Sequence, residues 1–529
     1  MDFDDPVDRL RAEWGLDFVR VRRVLAALGG AEEVSRLVAA SGLPRRDVES
    51  ILAELPPDRR SCIVAAGDGG TPRTLPAEAA LTARMAELAA GLPPSRWRID
   101  HVPATPDTMA RRARYLASEY ELVGASVLCL GDHDLTSLAL GSVSPGAELA
   151  VLDIDERILD HVADAADGLG LPLTAAWADL RLALPPSLVG TADLVFTDPP
   201  YTTEGMRLFL MRGLEALRPT GHERLAFCFG TGERHLVKAL EVQSLLSDLR
   251  LALEAMLPGF NHYDGAEAIG SRSDLYICRP TKGAKVGEPA SARGRRARGS
   301  KASAGAARIY TRGPAAEEAP AHAVPGPVRT AALAAAGDGP VLLVGDGWDS
   351  PAVSLPEFFQ RVAAWATAAR PGPFPFNGTP VINTAPDHGG AALRTLLVSA
   401  PERAALIVPR RDLLDAELLA AAYDISTVPT GPGGDPALIV AARHDRAPAG
   451  VAEAVLRHVL LHPGAKVVNA WRDGLIAATR PGGATMTKNE ARARIAAEEL
   501  PPSLRRLRIW EMPKRLLARL PAEIARSCV

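Results

Sequence analysis

The stretch Leu194-Val195-Phe196-Thr197-Asp198-Pro199-Pro200-Tyr201-Thr202 decides the fold of this chain. Its apolar run predicts a buried strand, and the strand must stop at Asp198 because proline has no amide hydrogen to give to a sheet ladder. In an open parallel sheet, ligands bind just outside the carboxyl ends of the strands. We therefore expect Asp198 to overhang a ligand crevice, with Tyr201 beside it as an aromatic wall. The simpler alternative is a strand end followed by an ordinary turn.

Acids also follow three strand-like runs upstream. The run 127–130 leads into Gly131, the run 149–152 leads into a second acidic loop, and a third run ends near residue 177. The acids after these runs are Asp132 and Asp134, then Asp153 and Asp155, then Asp179. The second pair stands about twenty residues beyond the first loop, as a carboxylate that binds ribose hydroxyls does. This alternation predicts an α/β fold with a Rossmann-like, doubly wound sheet.

The first loop is unusual because Gly131 is followed by Asp132, His133 and Asp134. Loops that bind phosphate or a carboxylate carry several glycines, so that backbone amides can approach the anion. Acids in that place repel anions and attract cations. The loop therefore predicts a ligand that carries a sulfonium and a free ammonium but no carboxylate.

With these motifs the chain resembles the bis-aminopropyl transferases that make branched-chain polyamines. That family has a Gly-Asp-Asp-Asp-Leu loop, a Val-Asp-Ile-Asp-Glu strand end and an Asp-Pro-Pro-Tyr-Thr strand end. The matching segments here are 131–135, 152–156 and 198–202, and further similarity lies at 105–108, 111–112, 204–205, 260–261 and 273–276. The resemblance extends over roughly residues 1–280.

The resemblance implies transfer of an aminopropyl group from decarboxylated S-adenosylmethionine to a nitrogen of a spermidine-like polyamine. The products would be a branched polyamine and methylthioadenosine. The donor would be a co-substrate, so no tightly bound cofactor is expected. Two alternatives remain open. One is a methyltransferase that uses S-adenosylmethionine on an amide or base amine, and the other is a helix-turn-helix regulator with a ligand-sensing α/β domain.

Roles for single residues follow from that chemistry. We expect Asp198 to hold and help deprotonate the attacking nitrogen, with the carbonyls of Pro199 and Pro200 nearby and Tyr201 offering a ring face. The residues expected to bind the donor are Gly131, Asp132, Asp134, Asp153, Asp155 and Asp179. The residues expected to bind the acceptor are His133, Thr202, Glu204 and Glu267. For Glu267, an exposed loop acid with no contact to the acceptor is an equal alternative.

Two positions depart from the family pattern. His133 replaces the middle acid of the loop, and His101 stands where the family has glutamine. Neighbouring acids favour the protonated form of an imidazole, so His133 would lower the negative charge of the loop. We expect this change to affect the choice of acceptor amine.

The chain divides into four predicted units. Residues 1–95 are predicted to be a helical, winged-helix-like domain, and residues 96–280 the Rossmann-like catalytic domain. Residues 281–326, rich in Ala, Gly, Pro and Arg, read as a flexible basic linker. Residues 327–529 contain strand-like runs and a Gly345-Asp346 loop, and they are predicted to form a second α/β domain, non-catalytic or of separate specificity.

Composition narrows the class of protein. The 529 residues are 47% hydrophobic and 23% charged, as in globular proteins, and the net charge is -3. Residues 1–57 hold 11 acids and 8 basic residues, which disfavours DNA binding by the N-terminal helices. The five cysteines have no paired spacing, so neither a metal site nor a disulfide framework is predicted. Without a signal segment or a membrane span, we expect a cytoplasmic enzyme, with a homodimer left open.

Overall fold

A computed structural model gives the fold of most of the chain. It describes residues 5–28, 33–55, 75–230, 236–284, 309, 323–384, 390–409, 416–428, 430, 436–479, 486–497 and 500–528. Most of the predicted linker 281–326 lies outside these residues, and so do Cys62 and the segment 385–387. The predicted flexibility of the linker therefore stays a prediction.

Helices flank the sheets and form the N-terminal part. They are α1 (Pro6–Trp14), α2 (Phe18–Leu28), α3 (Val34–Ser41), α4 (Arg45–Glu54), α5 (Glu78–Ala89), α6 (Pro106–Glu119), α7 (Thr136–Val143), α8 (Glu156–Gly168), α9 (Thr203–Ala216), α10 (Leu236–Leu249), α11 (Gly326–Ala336), α12 (Leu355–Thr367), α13 (Ala391–Ser399), α14 (Ala416–Leu419), α15 (Val451–Leu461), α16 (Val467–Thr479), α17 (Lys488–Ala497), α18 (Pro502–Arg506) and α19 (Lys514–Ser527). None of the helices in the described residues is long and apolar enough to cross a bilayer.

The strands form two sheets. They are β1 (Ser126–Leu130), β2 (Glu148–Asp153), β3 (Leu173–Trp177), β4 (Leu194–Thr197), β5 (Arg224–Phe229), β6 (Leu251–His262), β7 (Arg272–Pro280), β8 (Val341–Val344), β9 (Thr379–Asn383), β10 (Arg403–Val408), β11 (Tyr423–Val428) and β12 (Ala437–Arg443).

The first sheet has seven strands in the order β3-β2-β1-β4-β5-β7-β6. The five strands β1 to β5 run parallel, and β7 pairs antiparallel with both β5 and β6. The strand order reverses direction at β1, where Cys129 is paired with Val151 of β2 on one side and with Phe196 of β4 on the other. This is the switch point at which an open α/β sheet places its ligand. The predicted α/β class and Rossmann-like sheet are confirmed.

The second sheet has five strands in the order β11-β12-β10-β9-β8. Starting from β8, it has two parallel pairs followed by two antiparallel pairs. This is the order and orientation of β1, β4, β5, β7 and β6 in the first sheet. Counterparts of β2 and β3 are missing, because residues 345–378, all of them described, contain helix α12 and no sheet strand. The second sheet is therefore a shortened repeat of the first.

One apolar core continues through both sheets. The C-terminal part covers β3, the edge strand of the first sheet, where the Ser503 hydroxyl accepts a hydrogen bond from the Ala175 amide at 3.0 Å. Nearby, the Glu511 carboxylate accepts from the Ser187 amide at 3.1 Å. The two α/β units are thus packed together, and the boundaries between the predicted units stay predictions.

The N-terminal helices have a small core of their own, which includes Phe18, Leu37 and Ile51. Ion pairs join them to the first α/β unit, among them Arg22 with Glu121 and Asp17 with Arg224, each at 2.7 Å. The described residues of this region form helices only, and residues 29–32 and 56–74 lie outside the description. The winged-helix arrangement therefore stays a prediction.

Candidate active site

A cleft lies over the carboxyl ends of β1, β2, β3 and β4. Its volume, open solvent included, is about 590 Å³. Its wall includes Gly131, His133, Asp153, Asp198 and Pro200 among the residues singled out from the sequence. The floor and sides are largely apolar and come from Leu152, Ile154, Ala178, Leu180, Leu208 and Phe209. Among the charged side chains of the lining are those of Asp100, Asp153, Asp198 and Arg181.

Asp198 stands at the end of β4, as predicted, and is held from two sides. Its Oδ2 accepts hydrogen bonds from Arg112 Nη2 and from the Tyr263 hydroxyl, both at 2.7 Å. Its Oδ1 accepts from the Tyr201 hydroxyl at 3.0 Å. A carboxylate has about four acceptor positions. With donors counted from the described part of the chain, Asp198 therefore keeps one acceptor position, on Oδ1.

Arg112, on α6, is the centre of this arrangement and is fully buried. Besides Asp198 it contacts Asp134 through Nη1, and its Nε donates to the Asn261 side chain at 2.7 Å. Burial raises the pKa of Asp134, but the adjacent guanidinium outweighs it, so the pKa lies below the usual value. The acid predicted to face a cationic ligand is thus already neutralised within the protein.

Asp132 faces away from the cleft toward the start of α7. Its carboxylate accepts from both the amide and the hydroxyl of Ser137, the amide at 3.1 Å. Burial, with the charge of Asp134 added, raises the pKa of Asp132 well above its usual value. The preceding Gly131 has φ 72°, a left-handed conformation that glycine adopts without a steric cost. The loop therefore carries less negative charge than the residues Asp132, His133 and Asp134 suggest from the sequence.

The two acids after β2 differ in their surroundings. Asp153 lines the cleft, and its carboxylate accepts from the Asp155 amide at 2.8 Å and from the Asp132 amide at 3.2 Å. Burial raises the pKa of Asp153 to about 6, although these amide bonds partly offset it. Asp155 instead caps α8 and pairs with Arg157 at 2.6 Å and Arg96 at 3.3 Å. Of the two, Asp153 lines the cleft, and its contact with a ribose stays a prediction.

Asp179 is likewise engaged within the protein. Its carboxylate receives the Arg181 guanidinium, with Nη2 at 2.5 Å, and the Arg181 amide at 2.9 Å. Arg181 itself lines the cleft, while Asp179 is buried behind it. An adenine contact through Asp179 stays a prediction.

His133 is stacked on His101, with ring centroids 4.6 Å apart and the rings nearly parallel. Its Nε2 lies 2.7 Å from the carbonyl oxygen of Val102, so that nitrogen carries a hydrogen. Burial, with the neighbouring imidazole added, lowers the pKa of His101 well below its usual value. The two residues that depart from the family pattern thus lie in contact. The protonation predicted for His133 stays a prediction.

The stacked pair also borders a second cleft, of about 690 Å³ with open solvent included. Its other wall comes from the segment after α5, with Leu92, Pro93 and Pro94, and from Asp264. His101 and His133 contribute to both clefts, so they form the partition between them.

Apart from His133, the predicted acceptor-binding residues do not line either cleft. The Thr202 hydroxyl accepts from the Gly205 amide at 2.9 Å as the cap of α9, and it donates to the Ile309 carbonyl at 2.6 Å. Glu204 and Glu267 are exposed. Pro199 and Pro200, expected beside the reacting nitrogen, are both buried, and Pro200 lines the cleft. Contacts of these residues with an acceptor stay predictions.

Sequence reasoning missed Tyr263 and gave no role to Arg112 or Asn261. Arg112 carried a readable signal, because it lies between Thr108 and Leu116 on the apolar face of α6, where a charge needs a buried partner. Tyr263 had no such signal, since its hydroxyl reaches Asp198 only through the pairing of β6 with β7.

Comparison with known proteins gives three related findings. The family model for the branched-chain polyamine synthase A C-terminal domain matches residues 80–278. An N(4)-bis(aminopropyl)spermidine synthase from Thermus thermophilus is 31% identical over 270 residues, which is 46% of this chain and 76% of that protein. One from Thermococcus kodakarensis is 34% identical over 181 residues, 34% of this chain and 51% of that protein.

An uncharacterized protein from Methanocaldococcus jannaschii is 36% identical over 173 residues, 33% of this chain and 43% of that protein. This chain thus spans about half the length of these archaeal relatives. The crystal structure of the branched-chain polyamine synthase from Thermus thermophilus, with N4-aminopropylspermidine and 5'-methylthioadenosine, is 26% identical with a TM-score of 0.35. The alignment covers 54% of this chain and 95% of that one.

Proposed function

The chain belongs to the family of the N(4)-bis(aminopropyl)spermidine synthases, and from this membership we propose that it is an aminopropyltransferase. The donor is decarboxylated S-adenosylmethionine, and the acceptor is a polyamine of the spermidine type. The donor is a co-substrate that leaves as methylthioadenosine, and the second product is a branched polyamine.

The observation that carries the proposal is the environment of Asp198. An acid at the end of β4 is fixed by Arg112, Tyr201 and Tyr263, and it keeps one acceptor position at the cleft. A polyamine nitrogen is mostly protonated at neutral pH, so it must lose a proton before it attacks. The rigidly held Asp198 carboxylate can accept that proton and pass it to solvent, which leaves the nitrogen lone pair directed at the donor.

The reaction needs little more than this alignment, because the sulfonium donor is already activated. The nitrogen lone pair forms a bond to the propyl carbon, and the carbon–sulfur bond breaks with its electron pair going to sulfur. The sulfonium becomes a neutral thioether, and the new ammonium passes its remaining proton to solvent. Asp198 acts on the nitrogen, and the apolar walls exclude water from the sulfonium.

Donor binding is assigned to the β1–β3 side of the cleft. Asp153 receives the ribose hydroxyls, and the apolar residues Ile154, Ala178 and Leu180 cover the nucleoside. Asp132, Asp134, Asp155 and Asp179 support these loops from within, since each is bonded to neighbouring protein groups. This assignment gives them a smaller part in direct donor contact than the sequence predicted.

The four-part division of the chain is retained in the proposal. Residues 96–280 carry the reaction, and the helices of residues 1–95 support it through the Asp17–Arg224 and Arg22–Glu121 pairs. The second sheet is proposed to be non-catalytic. It lacks counterparts of β2 and β3 in the described residues 345–378, and those strands supply the donor side of the cleft.

The decisive experiment offers the protein two donors separately. Decarboxylated S-adenosylmethionine with spermidine should release methylthioadenosine and an amine heavier by one aminopropyl group, both measured by mass spectrometry. The Asp198→Asn variant is the matched control and should give little product. Release of S-adenosylhomocysteine from intact S-adenosylmethionine would replace the proposal with a methyltransferase, and no turnover with either donor would reject both.

A further inference from the structure

One arginine of the C-terminal part reaches the donor side of the cleft from behind. Arg394 lies in the first turn of α13, and its side chain is fully buried. Its Nη2 donates to Glu156 Oε1 at 2.8 Å and to the Met512 carbonyl at 2.6 Å. Its guanidinium carbon also lies 4.8 Å from the ring centre of Trp177. A single guanidinium thus contacts the first residue of α8, which follows β2, and the last residue of β3.

Both contacts adjoin the donor side of the cleft. Glu156 is the first residue of α8, and it directly follows the cap Asp155. Trp177 ends β3, where it is paired with Asp153. The next residue, Ala178, donates its amide to the Asp153 carbonyl at 3.1 Å and lines the cleft. The two loops that hold the donor are therefore fixed by the same buried charge.

The contact is costly to disturb. Glu156 is secured by a second group of the C-terminal part, because the Lys514 amide donates to its Oε2 at 2.9 Å. In the described residues, Nε and Nη1 of Arg394 have no hydrogen-bond partner, so its charge is balanced mainly by Glu156. Removing one partner of a buried ion pair leaves the other uncompensated. The geometry of the loops therefore depends on the pair.

We infer that Arg394 is a positioning residue for donor binding, and that the shortened repeat serves the reaction by fixing the ends of β2 and β3 through it. This inference rests on the proposed function. The acceptor side is the Asp198 end of the cleft, where Arg112 of α6 and Tyr263, after β6, both bond Asp198. The hydrogen bonds of Arg394 lie elsewhere, to Glu156 and Met512.

The test measures the binding of the donor and of the acceptor separately in the full-length protein. Arg394→Met should weaken methylthioadenosine binding in calorimetry on the order of tenfold, which is the size of one lost charge-assisted hydrogen bond. KM for the donor should rise by a similar factor. KM for the acceptor and kcat should stay within about twofold of the values for the unaltered protein. Glu156→Gln should have the same effect, and the double variant should add little to it.

The matched control is Arg515→Met. Arg515 also joins the C-terminal part to α8, through Asp164, but both side chains are largely exposed and no residue of the cleft is adjacent. This variant should bind methylthioadenosine like the unaltered protein. If Arg394→Met does not fold, Glu156→Gln alone tests the inference. In that variant Arg394 faces a neutral side chain that still accepts its hydrogen bond.

Unchanged methylthioadenosine affinity in folded Arg394→Met and Glu156→Gln would overturn the inference. The Arg394–Glu156 ion pair would then only hold the two α/β units together. An equal loss in Arg515→Met, or equal rises in donor and acceptor KM, would overturn it too. Failure of the unaltered protein to bind methylthioadenosine at all would instead count against the proposed function.

Discussion

Arg112 Nη2 lies 2.7 Å from Asp198 Oδ2, so the acid that ends β4 is fixed by a buried side chain of α6. The pair joins segments 86 residues apart in the chain. Its effect is to orient Asp198 before any substrate arrives, because the carboxylate cannot turn without breaking this bond and two tyrosine bonds.

Replacing Asp198 with asparagine should remove most turnover and leave the fold intact. The amide can turn its oxygen to Arg112 and Tyr263 and its NH₂ to the Tyr201 hydroxyl, so the thermal midpoint should fall by only a few degrees. Loss of the proton acceptor should lower kcat on the order of 10²–10⁴-fold. Steady-state kinetics and thermal denaturation check both parts, and near-normal kcat would exclude Asp198 from the reaction.

Tyr263→Phe should lower kcat roughly tenfold or more, because one hydrogen bond to the Asp198 carboxylate is lost. The contact to Ser273, at 2.6 Å, is lost with it. Tyr120→Phe is the control, since that buried hydroxyl bonds Glu254 away from the cleft at 2.9 Å. Similar activity in the two variants would mean that the Tyr263 hydroxyl does not tune the site.

Donor binding should depend on pH through Asp153. Burial raises the pKa of this group to about 6, so its carboxylate is ionised above that pH and protonated below it. Methylthioadenosine affinity should therefore fall as the pH drops from 7.5 to 5. The Asp153→Asn variant should bind weakly and show no inflection near pH 6. An inflection retained in the variant would assign it to another group.

Protonation of Asp153 should weaken donor binding, but it should stabilise the folded protein. Its pKa in the folded protein lies above the ordinary 3.8, so the folded form binds more protons between about pH 4 and 6. Its contribution to the free energy of unfolding is full below pH 4 and is lost as the pH rises through 6. Denaturant titrations of the unaltered protein and Asp153→Asn should differ in this window.

His133→Asp should shift acceptor preference toward longer, more cationic amines. The change places a carboxylate at the partition between the two clefts and removes the stack on His101. The ratio of kcat/KM values across a panel of amines measures the shift. His444→Asp is the control, since that histidine also contacts a main-chain carbonyl, that of Ala420 at 2.9 Å, but in the C-terminal part. Unchanged ratios would mean that His133 does not face the acceptor.

The sequence predicted the strand ends well because they depend on local chemistry. Proline after Asp198 stops β4, and the apolar runs before Gly131 and Asp153 lie in β1 and β2. Which acid faces the cleft was not readable, because nearby basic or hydroxyl side chains bind Asp155, Asp179 and Asp132. For Asp134 the partner is distant in the chain. Asp134 is turned to Arg112, 22 residues upstream, and the sequence around Asp134 gives no sign of that partner.

The C-terminal part was readable only in outline. Runs at 341–344, 405–408 and 437–440 fall in β8, β10 and β12, but the short strand β9 and the polar strand β11 gave no clear signal. The second sheet is a shortened repeat of the first because of the order in which its strands pair. That order cannot be read from the composition of the strands. The contact of Arg394 with Glu156 joins residues 238 apart, beyond any local pattern.

The hydrogen bond from the Ala175 amide to Ser503 has a consequence for how copies of the protein can associate. With the β3 side covered, the first sheet has one outer strand, β6, that no other described strand pairs on its far side. Two molecules that met along β6 would each occupy the one open edge of the first sheet, so no third copy could add to that sheet. A fragment without the C-terminal part would have free edges on both sides, and such sheets can add strands without end into fibres.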